Sequence, residues 1–204
     1  EFFQSATHFE NKLYLTGLFE GTFSFDSHSV TSKGGFDGFI LQTTTNDVSS
    51  IEWLQSFGGE SNDKVVRVER LESGQLLVGG NFSLTCTFGN FIFESEGLTD
   101  CFVAYLSDIG NWEQVSIYGG SGEDELTGLA SLSDGKIMLS GNYFGSFKCG
   151  EKETLSAGKR DGFVALLNKY GDCISLKSFG GAGSDGINSI FHNDGQVVFT
   201  GTFS

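Results

Sequence analysis

With 26 Asp and Glu against 12 Lys and Arg, this 204-residue chain carries a formal net charge of −14. A surface that acidic repels phosphate backbones and anionic lipid, which argues against nucleic acid and membrane surfaces as partners. Its hydrophobic content of 38%, with 21 Phe spread along the chain, excludes a disordered polypeptide, because the aromatics supply the burial that offsets ordering entropy. No apolar run approaches the roughly 20 residues of a spanning helix, and the first residues form neither a basic n-region nor an apolar signal segment.

The stretch Ser56-Phe57-Gly58-Gly59-Glu60-Ser61-Asn62-Asp63 returns as Ile117-Tyr118-Gly119-Gly120-Ser121-Gly122-Glu123-Asp124 and as Ser178-Phe179-Gly180-Gly181-Ala182-Gly183-Ser184-Asp185. The second glycine of each pair falls at 59, 120 and 181, a period of 61 residues, and a fixed period of this size marks a repeat architecture. The frame divides the chain into residues 1–59, 60–120, 121–181 and a partial repeat 182–204. Because it opens and closes inside repeats, the chain is expected to be an excerpt of a longer polypeptide or a processed product.

In chain order, the first repeat predicts strand b at Leu13–Phe19, c at Phe39–Gln42 and d at Ile51–Phe57. The second predicts a at Val65–Leu71, b at Leu76–Phe82 and onward, c at Phe102–Leu106 and d at Trp112–Tyr118. The third repeats the series at Leu126–Leu132, Ile137–Phe147, Phe163–Leu167 and Cys173–Phe179. Strands a and b are joined by Glu72-Ser73-Gly74, Ser133-Asp134-Gly135 and Asn193-Asp194-Gly195, where Gly supplies the positive φ of a tight hairpin; the first repeat has Glu10-Asn11-Lys12. Strands c and d are joined at Ile109-Gly110-Asn111 and Tyr170-Gly171-Asp172, with Asn46-Asp47 in the first repeat. Inside strand b, Gly17, Gly80, Gly141 and Gly201 each precede an aromatic by two residues (Phe19, Phe82, Tyr143, Phe203), which indicates close backbone approach or a bulge.

Four short antiparallel strands per repeat, with hairpin turns and no helical periodicity, predict an all-β fold of four-stranded blades, a β-propeller or propeller-like arc. Gly-Gly-x-x-x-Asp, a strand, Asp-Gly, a strand ending in Thr-Gly-x-Phe, and then Asp-x-Phe-Val-Ala resembles the bacterial SBBP-type β-propeller repeat. Leu129–Gly141 and Asp161–Gly181 carry the resemblance best, and it extends over essentially the whole chain. The first repeat departs from it, reading Phe39-Ile40-Leu41 and lacking the a–b glycine. The resemblance implies a secreted or surface protein, extracellular or cell-surface in location, that binds or adheres without being an enzyme. Three blades and a part do not close a ring of the usual four to eight. The missing blades are expected in the same polypeptide, or failing that in a neighbouring chain.

Asp63, Asp124 and Asp185 offer one carboxylate per repeat. They suit a ring binding Ca²⁺ or a cationic ligand, or a fold determinant that accepts backbone N–H bonds after the glycine turn; the second reading is preferred. Asp37, Asp100 and Asp161 are read the same way, and no cofactor or metal is expected. Strand parity puts the d–a and b–c loops at one end. The b–c segments Asp26–Phe36, Gly89–Thr99 and Gly150–Arg160 are the longest and least alike, and divergent loops on a repeated scaffold are where recognition usually sits. Candidate binding residues at that end are Glu60, Asp63, Phe91, Phe93, Glu123, Asp124, Glu151, Lys152 and Asp185, facing a protein or glycan ligand.

Cys86 and Cys149 stand where other repeats have Phe, and are read as buried free thiols; a Cys86–Cys101 bridge is the alternative pairing. His8, His28 and His192 occupy unrelated repeat positions, and no nucleophile elbow or phosphate loop is present, so no catalytic residues are assigned. Trp53 and Trp112 on strand d are expected to pack rather than to stack on sugars. Two other functions compete with a binding scaffold: a structural spacer or assembly subunit, and a fragment of a glycan-active propeller enzyme.

Overall fold

A computed structural model describes residues 1–193 and 196–204. Among the described residues there are eighteen β-strands and no helix. The first repeat holds β1 (Phe2–Phe9), β2 (Lys12–Phe19), β3 (Thr22–Phe25), β4 (His28–Thr31), β5 (Asp37–Thr44) and β6 (Ile51–Gly59). The second holds β7 (Lys64–Arg70), β8 (Leu76–Phe82), β9 (Thr85–Phe88), β10 (Phe91–Glu94), β11 (Asp100–Leu106) and β12 (Trp112–Tyr118). The third holds β13 (Glu125–Ser131), β14 (Ile137–Cys149), β15 (Lys152–Leu167) and β16 (Cys173–Phe179), followed by β17 (Gly186–Asn193) and β18 (Gln196–Thr202). Predicted strands a to d coincide with these to within a few residues, except that β15 begins at Lys152, well before the predicted start of strand c at Phe163. The turn residues Asp194 and Gly195 lie outside the described residues.

The strands form small antiparallel sheets in the orders β1-β2-β5-β6-β9-β10, β12-β11-β8-β7, β13-β14-β15-β16, β17-β18 and β3-β4. By compactness the chain falls into two units, Glu1–Glu94 with Val103–Val115, and Ser95–Phe102 with Ser116–Ser204. In the first unit, Phe19, Phe23, Phe39, Leu41, Ile51 and Leu54 make one buried cluster, and the rings of Phe23 and Phe39 lie 4.5 Å apart. In the second, Tyr143, Phe147 and Phe163 are fully buried, and the last two stack at 3.9 Å.

The glycine inside each strand b has a specific cause. Opposite Gly17, Gly80, Gly141 and Gly201, strand a carries a β-bulge, with register shifts between Phe3 and Ser5, Val65 and Arg67, Leu126 and Gly128, and Ile187 and Ser189. The bulge drives a carbonyl into the paired strand. A Cβ on Gly17 or Gly141 would lie 2.2 Å from the carbonyl oxygen of Phe2 or Glu125, so only glycine fits.

The b–c segments are not irregular loops. Each is a second β-hairpin closed by a two-residue turn, with Phe25 paired to His28, Phe88 to Phe91 and Cys149 to Lys152. Asp26, Gly89 and Gly150 open these turns at positive φ, of 52°, 56° and 61°. In the third repeat the hairpin is continuous with β14 and β15, kinked at Gly145 (φ 72°), where the register shifts between Phe144 and Ser146. The hairpins of the second and third repeats run back along strand d of the preceding repeat. Phe57 pairs with Phe88 and Gly59 with Cys86, and Gly119 exchanges both backbone hydrogen bonds with Lys148.

Candidate functional site

The Gly-Gly-x-x-x-Asp loops are held from within. Asp63 accepts the Gly59 N–H at 2.7 Å and the Ser83 N–H at 3.2 Å; Asp185 accepts the Gly181 N–H at 2.6 Å and the Ser204 N–H at 2.7 Å; Asp124 accepts the Gly120 N–H at 2.7 Å. Each also donates its own N–H to a carbonyl just before strand c, on Phe36, Thr99 and Arg160. All three carboxyls are buried.

On the other side of the glycine pair sit Asp37, Asp100 and Asp161, buried too, each accepting the N–H of the residue four positions earlier. The remaining oxygen of each lies against the first glycine of the pair. A Cβ on Gly58, Gly119 or Gly180 would come within about 2.5 Å of it, which accounts for the first glycine. Burial pushes Asp37 and Asp100 up to about 6, and Asp63 and Asp124 up to about 7. Within each pair the neighbouring carboxylate adds to the rise on Asp63 and Asp124, while backbone N–H bonds oppose it.

Of the candidates, Glu151 and Lys152 line a concave surface. They stand at the tip of the third-repeat hairpin, in an open cleft of about 400 Å³ in the second unit. Its walls come from residues 116–118 of β12, the turn 150–152 and the turn 171–173. Tyr118 forms the floor, its hydroxyl donating to the Gly171 carbonyl at 2.6 Å. Gly150 and Gly171 both have positive φ; Gly150 is exposed at the rim, whereas Gly171 is buried with its N–H donated to Asn168 and its carbonyl accepting from Tyr118, and Glu151, Lys152 and Asp172 are exposed to solvent. The mixed charges and exposed turn backbone can hydrogen-bond a polar ligand in both senses.

A disulfide joins Cys149 to Cys173 across the base of this cleft, with Cα atoms 5.6 Å apart. The reading of Cys149 as a free thiol is thereby corrected, and so is the Cys86–Cys101 pairing: those two cysteines are free and buried. The second repeat shows why. At the equivalent positions Phe88 packs edge-on against Trp112 at 5.4 Å, and Trp112 also covers the turn glycine Gly89. In the third repeat the same joint is covalent. Cys149 at a phenylalanine position and Cys173 at the start of strand d were both legible; their adjacency was not, because it depends on the hairpin folding back.

That fold-back also changes which turns neighbour one another. Strand parity groups the b–c and d–a loops, whereas the hairpin tip at 150–152 lies beside the c–d turn at 171–173. Asp172, a residue outside the predicted set, therefore shares the cleft. Glu60 and Glu123 are exposed in the loops before Asp63 and Asp124, and neither lines the cleft. Phe91 and Phe93 are half-buried on β10, with Phe93 edge-on to Phe88 at 6.3 Å; the exposed apolar residue of that strand is Ile92, at 68%. Trp53 is buried and donates its indole N–H to Gln42 and to the Asp108 carbonyl, both at 3.1 Å. Among the described residues no three His, Cys, Asp or Glu side chains are grouped to hold a metal ion, and no helix is long and apolar enough to cross a membrane. No protein-family model matches the chain, and no curated protein matches its sequence.

Proposed function

We propose that this chain is a non-enzymatic binding scaffold of a secreted or cell-surface protein, its repeats arranged as blades of a β-propeller or propeller-like arc of the SBBP type. It recognises a protein or glycan ligand at the end where hairpin tips meet the c–d turns. The observation that carries this reading is the cleft formed by the 150–152 and 171–173 turns. The exposed Gly150 turn presents backbone, three charged side chains ring the rim, and a disulfide holds the walls in place, so little ordering cost remains to be met on binding. A structural disulfide also suits an oxidising compartment. The test is a glycan and protein binding screen, repeated on Glu151→Ala and Lys152→Ala variants. A specific ligand whose affinity drops at least about tenfold in either variant supports the reading. A ligand bound equally by both variants would place recognition elsewhere.

A further inference from the structure

In the second repeat the joint between hairpin and strand d is filled by two aromatic rings, Phe88 and Trp112, with centroids 5.4 Å apart. The indole also closes over the turn, since a Cβ on Gly89 would lie 2.9 Å from Trp112 Cδ1. The third repeat has Cys149 and Cys173 at these two places, and a pair of sulfurs takes up far less room. There a Cβ on Gly150 would find Cys173 Cβ at 3.7 Å, an ordinary contact. The cleft of about 400 Å³ opens on this side, with Gly150 and Cys173 both in its wall. The two ends of the disulfide therefore differ in access. Cys149 is fully buried, whereas Cys173 is half-buried and lines the cleft, beside a glycine with no side chain to cover it. Glu151, Lys152 and Asp172 stand exposed around the opening, two carboxylates to one ammonium.

We infer that Cys173 is a site of reversible S-thiolation, and that the thiol it takes is a small aminothiol admitted through the cleft. The step is thiol–disulfide exchange. The aminothiol attacks as its thiolate: its sulfur bonds Cys173 Sγ, the bond to Cys149 breaks, and the electron pair leaves on Cys149 Sγ. Cys149 then takes a proton from water, because apolar surroundings disfavour a thiolate. The attacking sulfur is oxidised from thiol to disulfide and Cys149 is reduced from disulfide to thiol, so no other oxidant or reductant enters. Attack at Cys149 is shut off, since that sulfur belongs to a residue with no solvent exposure. The rim selects the charge of the thiol. Glu151 and Asp172 attract an ammonium group, whereas they and the chain's net charge of −14 repel a second anion. Exchange unties the hairpin tip from strand d. When the thiol is withdrawn, Cys149, held in β14, attacks Cys173 Sγ and expels the aminothiol. The modification needs only the disulfide and the opening beside it, and is independent of the protein or glycan ligand proposed for the cleft.

The test treats the intact, oxidised chain with cysteamine or with mercaptoethanesulfonate, quenches in acid, alkylates free thiols in denaturant and maps the products by mass spectrometry. Cys86 and Cys101, free throughout, carry the alkyl label in every sample. The expected result is cysteamine on Cys173 and the alkyl label on Cys149, with the reverse assignment about tenfold rarer. Per thiolate, cysteamine should react about threefold or more faster than the sulfonate, and the double variant Glu151→Gln, Asp172→Asn should bring the two rates together. Gly150→Asn should slow the exchange about threefold or more by covering Cys173. The turn accepts that residue, because Asp26 holds the same place in the first repeat at φ 52°. Adducts divided equally between the two cysteines, or formed only after urea unfolds the chain, overturn the inference. Equal rates for the two thiols on the unaltered chain overturn it as well, and that measurement needs no variant to fold.

Discussion

At the scale of single residues, the recurring glycines and aspartates divide the work of turning the chain. The first glycine of each pair makes room for a buried carboxyl, and the second donates its N–H to the Asp four residues on. That partnership was visible in the sequence as a spacing, because an Asp after a glycine turn bonds backbone only a few residues away. Its burial was not visible, since it depends on contacts with residues about twenty positions away, such as Ser83 on Asp63 and Ser204 on Asp185. One position breaks the local rule. Where the first and third repeats enter their second hairpin through Gly21 and Gly145, at φ of 74° and 72°, the second has Leu84 at 58°. A left-handed conformation costs a non-glycine residue about 1–2 kcal/mol, and this leucine is 57% exposed, so it recovers little by burial. Leu84→Gly should therefore raise the unfolding free energy by about 1 kcal/mol in urea titration. An unchanged or lowered midpoint would show that contacts of the leucine outweigh its backbone cost.

At the scale of elements, the a, b, c and d strands were legible because alternation of apolar residues and turn glycines are local signals. The second hairpins were not read as strands, although Phe23-x-Phe25 and Phe91-x-Phe93 alternate on either side of Asp26-Ser27 and Gly89-Asn90. Their low mutual similarity reads as loop divergence. The structure shows that what they share is a joint: an apolar or covalent link from the hairpin's first strand to the start of strand d. Phe25 packs on the cluster containing Ile51, Phe88 packs on Trp112, and Cys149 bonds Cys173. Closing a loop with 24 residues of sequence separation contributes about 3 kcal/mol on the chain-entropy model. Replacing both cysteines by alanine should lower stability by about that amount. The double variant Cys149→Phe, Cys173→Trp, which copies the second repeat, should recover part of the loss. Equal stability of the two double variants under oxidising conditions would sink the claim that the joints are equivalent.

At the scale of the whole molecule, the buried carboxyls set how stability responds to pH. Asp37 and Asp100 titrate near 6, and Asp63 and Asp124 near 7, against an ordinary value of 3.8. Between those values the folded chain holds more protons than the unfolded chain. Their contribution is therefore fully present below about pH 4, is lost as pH rises through 6 to 7, and is constant above. The net charge of −14 acts in the same direction by self-repulsion, but salt screens the surface and not the interior. Urea midpoints in 0.5 M salt (about 4 Å Debye screening) should fall from pH 4.5 to pH 7.5, and Asp124→Asn should make that fall shallower. A slope unaltered by the substitution would mean that the buried carboxyls are not its source. Taken by itself, the sequence determined the 61-residue period, the all-β class, the places of strands a to d and the bulge glycines. The period is written in the recurrence of one short motif, and the rest in spacings shorter than one repeat. The tertiary structure decided which cysteines meet, which carboxyls lose their water, where the second hairpins fold back and which charges share a cleft. Those outcomes turn on strand pairings between residues tens of positions apart, and such pairings leave no local pattern to read.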